Sequence, residues 1–388
     1  MTYTQQSTVV EETPWAAIAG VIATVSVFAI AQGLSYPLLS FILQRQGVSP
    51  ALIGLSAAMS PIGFIVSSPL IPAVSRRFGA GRTALTCAAL SAIVLGLVGW
   101  TQDVYAWFLL RFLLGVVVNP LYVLSEVWMI ALAPPSRRGR IMGIYTTLIS
   151  AGFAAGPICL LVVGTEGWPP FLVGIVAFVI CGLCLGAVLH RLPDMKGEGG
   201  KHVSVLGFLP LAWVLLAGVA IAAGFEQGIL ALLPVYGTSH GIAETSMSAL
   251  LAVMIAGNIA FQIPLGLLAE RESARAVKFG CVVATVAGCA LLPVVIETPL
   301  VWPFVFLWGA VSYGIYTMSI IELGERFSGQ MLIAGNAAFA MMWGLGGIIV
   351  PPIAGGAIDV MGASGLPVTL GAICLLLAVL SILRWRDA

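Results

Sequence analysis

The sequence predicts an all-α polytopic membrane protein whose twelve transmembrane helices form two pseudo-symmetric six-helix bundles. Of its 388 residues, 60% are hydrophobic and 9% are charged, a composition that suits a chain dissolved in lipid better than a soluble domain. Twelve apolar runs of about 20 residues, each enough to cross roughly 30 Å of hydrocarbon, alternate with short polar breaks. The two halves of the chain also resemble each other.

The basic residues predict how these helices are oriented. The predicted spans are 15–43, 51–74, 83–101, 104–133, 141–164, 168–189, 208–236, 247–269, 279–296, 300–324, 331–356 and 366–383. With the N-terminus in the cytoplasm, fifteen of the seventeen Lys and Arg residues fall on the cytoplasmic side, including Lys278. Arg45 alone lies on the other side, and Arg111 lies within a helix. The positive-inside rule therefore predicts that both termini are cytoplasmic.

A polar break in the middle of the chain divides the spans six and six. It has the sequence HRLPDMKGEGGKH at residues 190–202. We expect an N-terminal tail at 1–14, a first bundle at 15–189, a linker at 190–207, a second bundle at 208–383 and a C-terminal tail at 384–388. The segment FLLGVVVNPLYVLSE from Phe112 aligns with FLWGAVSYGIYTMSI from Phe306, an offset of 194 residues, and PAVSRR aligns with GLLAER at the same offset. Folds built from such repeats bind substrate between the bundles near the bilayer midplane.

Four ionisable residues lie inside the apolar helices: Arg111, Glu126, Glu226 and Glu322. A charge at mid-depth in a bilayer is costly unless it is paired or hydrated, so these residues are candidates for proton coupling or substrate contact. A desolvated carboxyl can take up a proton from one side and release it to the other. The open alternatives are a glutamic acid that only packs between helices and an arginine whose guanidinium snorkels to the membrane surface.

Amide and aromatic side chains on the same helices are candidates for lining a substrate cavity. They are Gln32, Tyr36, Asn119, Tyr122, Trp128, Gln227, Asn258, Gln262, Tyr313, Tyr316, Asn336 and Trp343. Such a lining suits a partly apolar or planar organic solute better than a sugar, which requires denser hydrogen bonding. For any one of these residues, interhelical packing is the alternative.

The sequence argues against other classes of function. All seven cysteines fall in predicted helices, so no disulfide framework is expected. Cys181 and Cys184 have the spacing of a redox pair, but no nearby charge would activate a thiolate. The three histidines lie in or beside loops, and the net charge of +1 gives no indication of a nucleic-acid partner. We therefore expect no enzyme activity, no cofactor and no metal.

One loop resembles a known family motif. GLLAERESAR, residues 266–275, resembles the G-x-L-A-D-R-x-G-R-[RK] loop of the major facilitator superfamily, with Glu270 in place of the aspartate and Ser273 in place of the second glycine. The matching first-half loop, VSRRFGAGR, has Arg76 where the family's acid would stand. The resemblance implies the superfamily fold for the whole chain.

In that superfamily the loop latches the two bundles on the cytoplasmic side by pairing an acid with an arginine. The resemblance therefore implies a cytoplasmic gate made of Arg76, Arg77, Arg82, Arg138, Arg140, Glu270, Arg271 and Arg275. Within it, Glu270 is expected to pair with Arg138 or Arg140. The alternative is a solvated loop that merely follows the positive-inside rule.

Two helices carry further resemblances to the superfamily. Arg111 and Gly115 resemble its R-x-x-x-G signature, in which the arginine is associated with proton-coupled transport. Residues 143–157 fit G-x8-G-x3-G-P, a pattern associated with antiporters. The run SEVWMIALAPPSRRGRIMGIY resembles the YcaD-like branch, whose neighbours include proposed riboflavin importers and copper importers.

These resemblances imply a monomeric, proton-coupled secondary transporter of a small organic solute, working by alternating access in the bacterial inner membrane. Vitamin uptake, of a solute such as riboflavin, is the alternative to export. A copper importer is less expected, because Met247 and Met254 are seven residues apart and His240 lies in a loop, so the Met-x3-Met and His-x3-Met pairs are missing. A channel and a transporter-like sensor are further alternatives.

Overall fold

The structure is a computed structural model that describes residues 14–134, 138–193 and 205–386. Within these ranges it contains twelve long helices and no strand. They are α1 Trp15–Arg45, α2 Pro50–Phe78 (with a 3-10 turn at Ser68–Leu70), α3 Ala80–Thr101, α4 Val104–Leu132, α5 Arg138–Val163, α6 Pro169–Val188, α7 Trp213–Ser239, α8 Glu244–Arg271, α9 Ala274–Val295, α10 Val301–Arg326, α11 Gly329–Met361 and α12 Gly365–Arg386. Most of the predicted tails and linker lie outside the described residues.

The predicted fold class is confirmed. Eleven apolar helical segments of the described chain are long enough to span a membrane, and the last of them, Ala334–Leu383, has 50 residues. That is too long for one crossing, and Gly362, with a φ of +68°, separates it into α11 and α12. The segments therefore correspond to the twelve predicted spans.

The start of α9 differs from the sequence prediction. It begins at Ala274 and not at 279, because the Ser273 hydroxyl accepts a hydrogen bond from the backbone N–H of Ala276 at 3.1 Å and so caps the helix. The segment from Ala274 to Lys278, which the sequence placed in a loop, is consequently helical. Lys278, which the sequence placed among the loop cations, lies inside α9 and is buried.

The two halves pack their helices in the same pattern. In the first half α1 contacts α5 and α6, α2 contacts α4, and α3 contacts α4 and α6. In the second half α7 contacts α11 and α12, α8 contacts α10, and α9 contacts α10 and α12. Each pair is repeated six helices later, as expected for two related bundles.

Close helix contacts repeat at the offset of 194 residues found in the sequence. A Cβ atom placed on Gly115 would overlap the carbonyl oxygen of Ser60, and one placed on Gly309 would overlap that of Met254. The contact of α1 with α5 and the corresponding contact of α7 with α11 show the same offset: Gly152 approaches Ser26, and Gly346 approaches Ala220. Small residues allow this close backbone approach in membranes.

The bundles meet along a seam between α2 and α11, with further contacts between α5 and α8 and between α7 and both α1 and α2. Glycine and proline form much of the seam: Gly54 lies against Pro351, Gly347 against Pro61, and Gly355 against Pro50 and Ala51. The seam therefore brings two backbones together with few long side chains between them.

Among the described residues, polar contacts between the bundles cluster at one end, which we call the Arg45 end. Arg45 on α1 donates to Glu244 on α8 at 3.0 Å. Thr238 donates to Gln44 at 2.6 Å, and the backbone N–H of Ala51 donates to Asp359 at 3.1 Å. The opposite end, here the Arg76 end, is the one predicted to be cytoplasmic.

Candidate functional site

Glu226 lies in the middle of α7, where that helix passes between the bundles. α7 contacts α1 and α2 of the first bundle and α10, α11 and α12 of the second. Glu226 itself is half-buried, whereas the next residue, Gln227, is fully buried. The carboxyl group is therefore positioned where the two halves face each other.

Four tyrosines lie within electrostatic range of Glu226. Tyr36 comes from α1, Tyr122 from α4, and Tyr313 and Tyr316 from α10. Both bundles thus contribute phenol groups to one acid, so the structure brings together five of the residues that the sequence selected. Tyr122 also packs edge-on against Phe28, with ring centroids 4.5 Å apart. The site combines one carboxyl with aromatic surfaces and hydroxyls.

Arg111 is held inside the first bundle and does not reach the membrane surface. Its side chain is only 2% exposed. Nη1 donates to the Ser56 hydroxyl at 3.3 Å, and the Ser60 hydroxyl donates to the Arg111 carbonyl at 3.2 Å. The guanidinium carbon lies 5.8 Å from the centroid of the Tyr36 ring. The snorkelling alternative does not describe this side chain.

Tyr36 connects Arg111 to α7. Its ring contacts the guanidinium group, and its hydroxyl lies near the Gln227 side chain. Arg111 and Glu226 form no salt bridge in this conformation: the ion pairs of the described residues are centred on Arg45 and Glu322. A cation from one bundle and an acid from the other therefore lie on either side of one tyrosine.

Glu126 lies farther toward the Arg76 end. It is exposed, yet it is within electrostatic range of Tyr145 on α5 and of Tyr316 on α10 of the other bundle. The exposed Glu126 side chain therefore lies where helices of the two bundles approach each other, and we call the space beside it the cleft. Tyr316 is within electrostatic range of both Glu126 and Glu226, so the two acids lie near the same part of α10.

Glu322 is placed apart from this cleft. It is buried between α9 and α10 and accepts hydrogen bonds from Lys278 and, at 3.0 Å, from Arg326. From the sequence, Glu322 was predicted to be a coupling acid, and Lys278 was not recognised as its partner. The i,i+4 spacing of Glu322 and Arg326 was the available signal that this acid is paired.

Other predicted cavity residues make packing contacts. The Asn119 amide donates to the Phe64 carbonyl at 3.0 Å and to the Ser67 hydroxyl at 2.9 Å, so it joins α4 to α2. Trp128 donates to the Pro193 carbonyl at 3.3 Å at the end of the first bundle. Gln32 and Asn258 are buried, Gln262 and Trp343 are half-buried, and Asn336 is exposed. The packing alternative describes Asn119 and Trp128 well.

The predicted gate residues lie at the Arg76 end. Arg76, Arg77, Arg82, Glu270 and Arg271 are exposed, and Arg275 is half-buried beside Lys278 and Glu322. The side chains of Arg138 and Arg140 lie outside the described residues. The latch between Glu270 and one of these arginines therefore stays a prediction.

The sequence matches the Major Facilitator Superfamily profile over residues 21–330. The chain is 29% identical over 341 residues to "Uncharacterized MFS-type transporter YfkF" of Bacillus subtilis, covering 86% of each protein. It is 23% identical over 316 residues to "Uncharacterized MFS-type transporter YcaD" of Escherichia coli, covering 80% of each. These relatives are similar along most of their length.

Solved structures show the same fold. The nucleoside transporter NupG superposes with a TM-score of 0.80 at 14% identity, covering 95% of this chain and 99% of NupG. A bacterial homologue of the human lysosomal transporter Spinster, in an inward-facing and unoccupied conformation, superposes with a TM-score of 0.78 at 13% identity, covering 95% and 96%. With the profile match across most of its length, the chain belongs to the Major Facilitator Superfamily.

Proposed function

We propose that this protein is a proton-coupled secondary transporter that moves a small, partly apolar or aromatic organic solute across the bacterial inner membrane by alternating access. The observation that carries the proposal is Glu226, a half-buried acid between the bundles with tyrosines from both halves around it. Membership of a transporter superfamily supports the class of activity.

Alternating access is supported by the unequal contacts at the two ends. Arg45, Gln44 and Asp359 join the bundles at the Arg45 end. Glu126, on the other side of Glu226, is exposed between helices of the two bundles. Rocking one bundle against the other would break the contacts at the Arg45 end and close the cleft around Glu126.

Proton coupling is supported by the surroundings of Glu226. A membrane-embedded carboxylate needs a counter-charge or a proton, and Glu226 has no salt-bridge partner in the described part of the chain. The tyrosines within electrostatic range of it carry no positive charge, so binding a proton is the direct way to neutralise it. Glu126 is a second candidate lower in the cleft.

The aromatic lining supports a planar or ring-containing solute. Riboflavin uptake is the alternative to export that we retain. NupG is by its title a nucleoside transporter, and nucleosides also carry a planar ring system, so both groups belong in a first screen. Copper import is disfavoured, because the sequence lacks the Met-x3-Met and His-x3-Met pairs that the copper-importing relatives carry. Downhill flow through a channel would need no coupling acid.

The test is accumulation of solute by purified protein in liposomes. Solutes are first ranked by thermal shift against flavins, nucleosides, drugs and amino acids. Wild-type vesicles are expected to accumulate the best ligand against its gradient, and a protonophore should collapse that accumulation. Glu226→Gln is expected to bind the solute but to lose protonophore-sensitive accumulation, whereas Glu325→Gln, at an exposed acid near the end of α10, should behave as wild type. Protonophore-insensitive equilibration by the wild type would indicate a pore.

A further inference from the structure

Arg111 differs from the other buried cation of the described chain in having no acidic partner. Lys278 is as deeply buried, but it contacts the Glu322 carboxylate. Within the described ranges, the Arg111 guanidinium group has the Ser56 hydroxyl and the Tyr36 ring as its polar and aromatic contacts. A buried charge is costly unless an opposite charge and hydrogen bonds compensate it. The first bundle thus holds a positive charge that the described residues leave uncompensated.

Two polar atoms next to Tyr36 have no hydrogen-bond partner in the described part of the chain. They are Nε of Arg111 and Oε1 of Gln227, and each residue is only 2% exposed. Leaving a buried donor or acceptor unsatisfied costs about 1–3 kcal/mol. One of the two atoms is a charged donor and the other is a neutral acceptor. They are therefore complementary to a ligand with an anionic acceptor and a nearby N–H or O–H group.

The expected charge of the solute follows from which of the two ionisable groups, Arg111 or Glu226, can become neutral. Arginine stays protonated in proteins, so the positive charge of Arg111 is fixed. The Glu226 carboxyl can bind a proton and become neutral. While Glu226 is ionised, its negative charge offsets the positive charge of Arg111 for a solute of either sign; once Glu226 is protonated, the site is positive and attracts an anion but repels a cation. The tyrosines are neutral in their ordinary state, and the next acid, Glu126, lies farther toward the Arg76 end.

We propose that the transported solute is an organic anion, an aromatic or planar monocarboxylate whose carboxylate binds Arg111 and whose N–H or O–H group donates to Gln227. This inference rests on the proposed function and names the substrate class of the same site. It also assigns Ser56 as a positioning residue, because its hydroxyl accepts from Nη1 and so holds the planar guanidinium in place.

The test compares each carboxylate with its own neutral amide. Purified full-length protein is titrated with indole-3-acetate and indole-3-acetamide, and with benzoate and benzamide, while its thermal unfolding is followed. The carboxylates are expected to raise the unfolding temperature in a saturable manner, and the amides and the cation tryptamine are not. Equal stabilisation by an amide, stabilisation by tryptamine, or no response to any of the carboxylates at millimolar concentration would overturn the inference.

Substitutions at Arg111 and Ser56 test whether the Arg111 guanidinium group binds the carboxylate. Arg111→Gln is expected to weaken carboxylate affinity by about tenfold to a hundredfold, the value of a charge-assisted hydrogen bond. Arg111→Lys keeps the charge without the planar fork and should lose less, and Ser56→Ala should lose a few-fold. Unfolding without ligand checks that each variant is folded. If Arg111→Gln does not fold, the comparison of carboxylate with amide in the wild type still decides. Unchanged carboxylate affinity in both Arg111 variants would place the anion elsewhere and overturn the inference.

The same preparations separate this inference from the proposed function. If vesicles accumulate a neutral or cationic solute in a manner that depends on Glu226, the transporter assignment stands and the anion inference fails. If indole-3-acetate binds at Arg111 but vesicles accumulate no solute, the proposed transport fails while the binding site stands.

Discussion

The two bundles share their backbone packing but differ in how they treat buried charge. Gly115 and Gly309 make matching helix contacts 194 residues apart. At the same offset Arg111 corresponds to Val305, and Lys278 corresponds to Ala84. The second bundle buries its cation with an acid, whereas the first buries its cation with a serine and an aromatic ring. The two halves therefore share their packing, whereas their buried charged residues differ in position and in partner.

Breaking the ion pair of the second bundle should give the largest effect. Lys278→Met removes the buried ammonium group that pairs with the Glu322 carboxylate, and we expect a loss of about 3–5 kcal/mol of unfolding free energy. Unfolding in detergent measures it. The double variant Lys278→Met, Glu322→Leu should recover most of the loss. A double variant as unstable as the single one would show that packing, not charge, causes the effect.

The shared packing can be tested by matched substitutions in the two halves. Gly115→Ala and Gly309→Ala each place a methyl group against a backbone carbonyl, so each should cost about 1–3 kcal/mol, and the two losses should be similar. Gly280→Ala, where nothing lies within 4 Å of the new methyl, is the control. Loss at only one of the two sites would contradict the equivalence of the halves.

Removal of the uncompensated cation should have a smaller effect on stability. Arg111→Met leaves no acid behind, so we expect a change of at most about 1 kcal/mol in the unfolding free energy without ligand, in contrast to Lys278→Met. Thermal unfolding of the two variants side by side gives the comparison. A loss for Arg111→Met equal to that for Lys278→Met would mean that Arg111 has a structural role as large as the ion pair.

The Arg45–Glu244 contact should contribute least to the unfolding free energy, but it should hold the two bundles together at the Arg45 end. The Arg45–Glu244 pair is partly exposed, so Arg45→Ala should cost about 0–1 kcal/mol. Spin labels at Gln46 and Ser239, on opposite bundles, would report the separation of this end. We expect a longer or broader distance distribution in Arg45→Ala than in Gln102→Ala, and identical distributions would show that the contact does not hold the end closed.

Most of the fold could be predicted from the sequence, because hydrophobic run length, charge asymmetry and an offset repeat are local signals. The cluster around Glu226 was predicted in part: Tyr36, Tyr122 and Gln227 were selected as residue types, but their convergence depends on how α1, α4 and α7 cross. Lys278 was not recognised as the partner of Glu322, because the sequence placed it in the basic loop. In the structure the Ser273 cap starts α9 at Ala274, so Lys278 lies within the helix. Asn119 and Trp128 could not be assigned to cavity or packing without the rotation of α4.

The glycine and proline seam between α2 and α11 affects the free energy that is needed to slide one bundle against the other. Gly54, Gly347 and Gly355 have no side-chain rotamers, and the prolines that face them are rigid. Sliding this surface therefore reorders few torsion angles and carries little entropic penalty. Under the proposed alternating access, the two conformations could then differ little in free energy, so that the binding of one proton or solute would decide which conformation is populated.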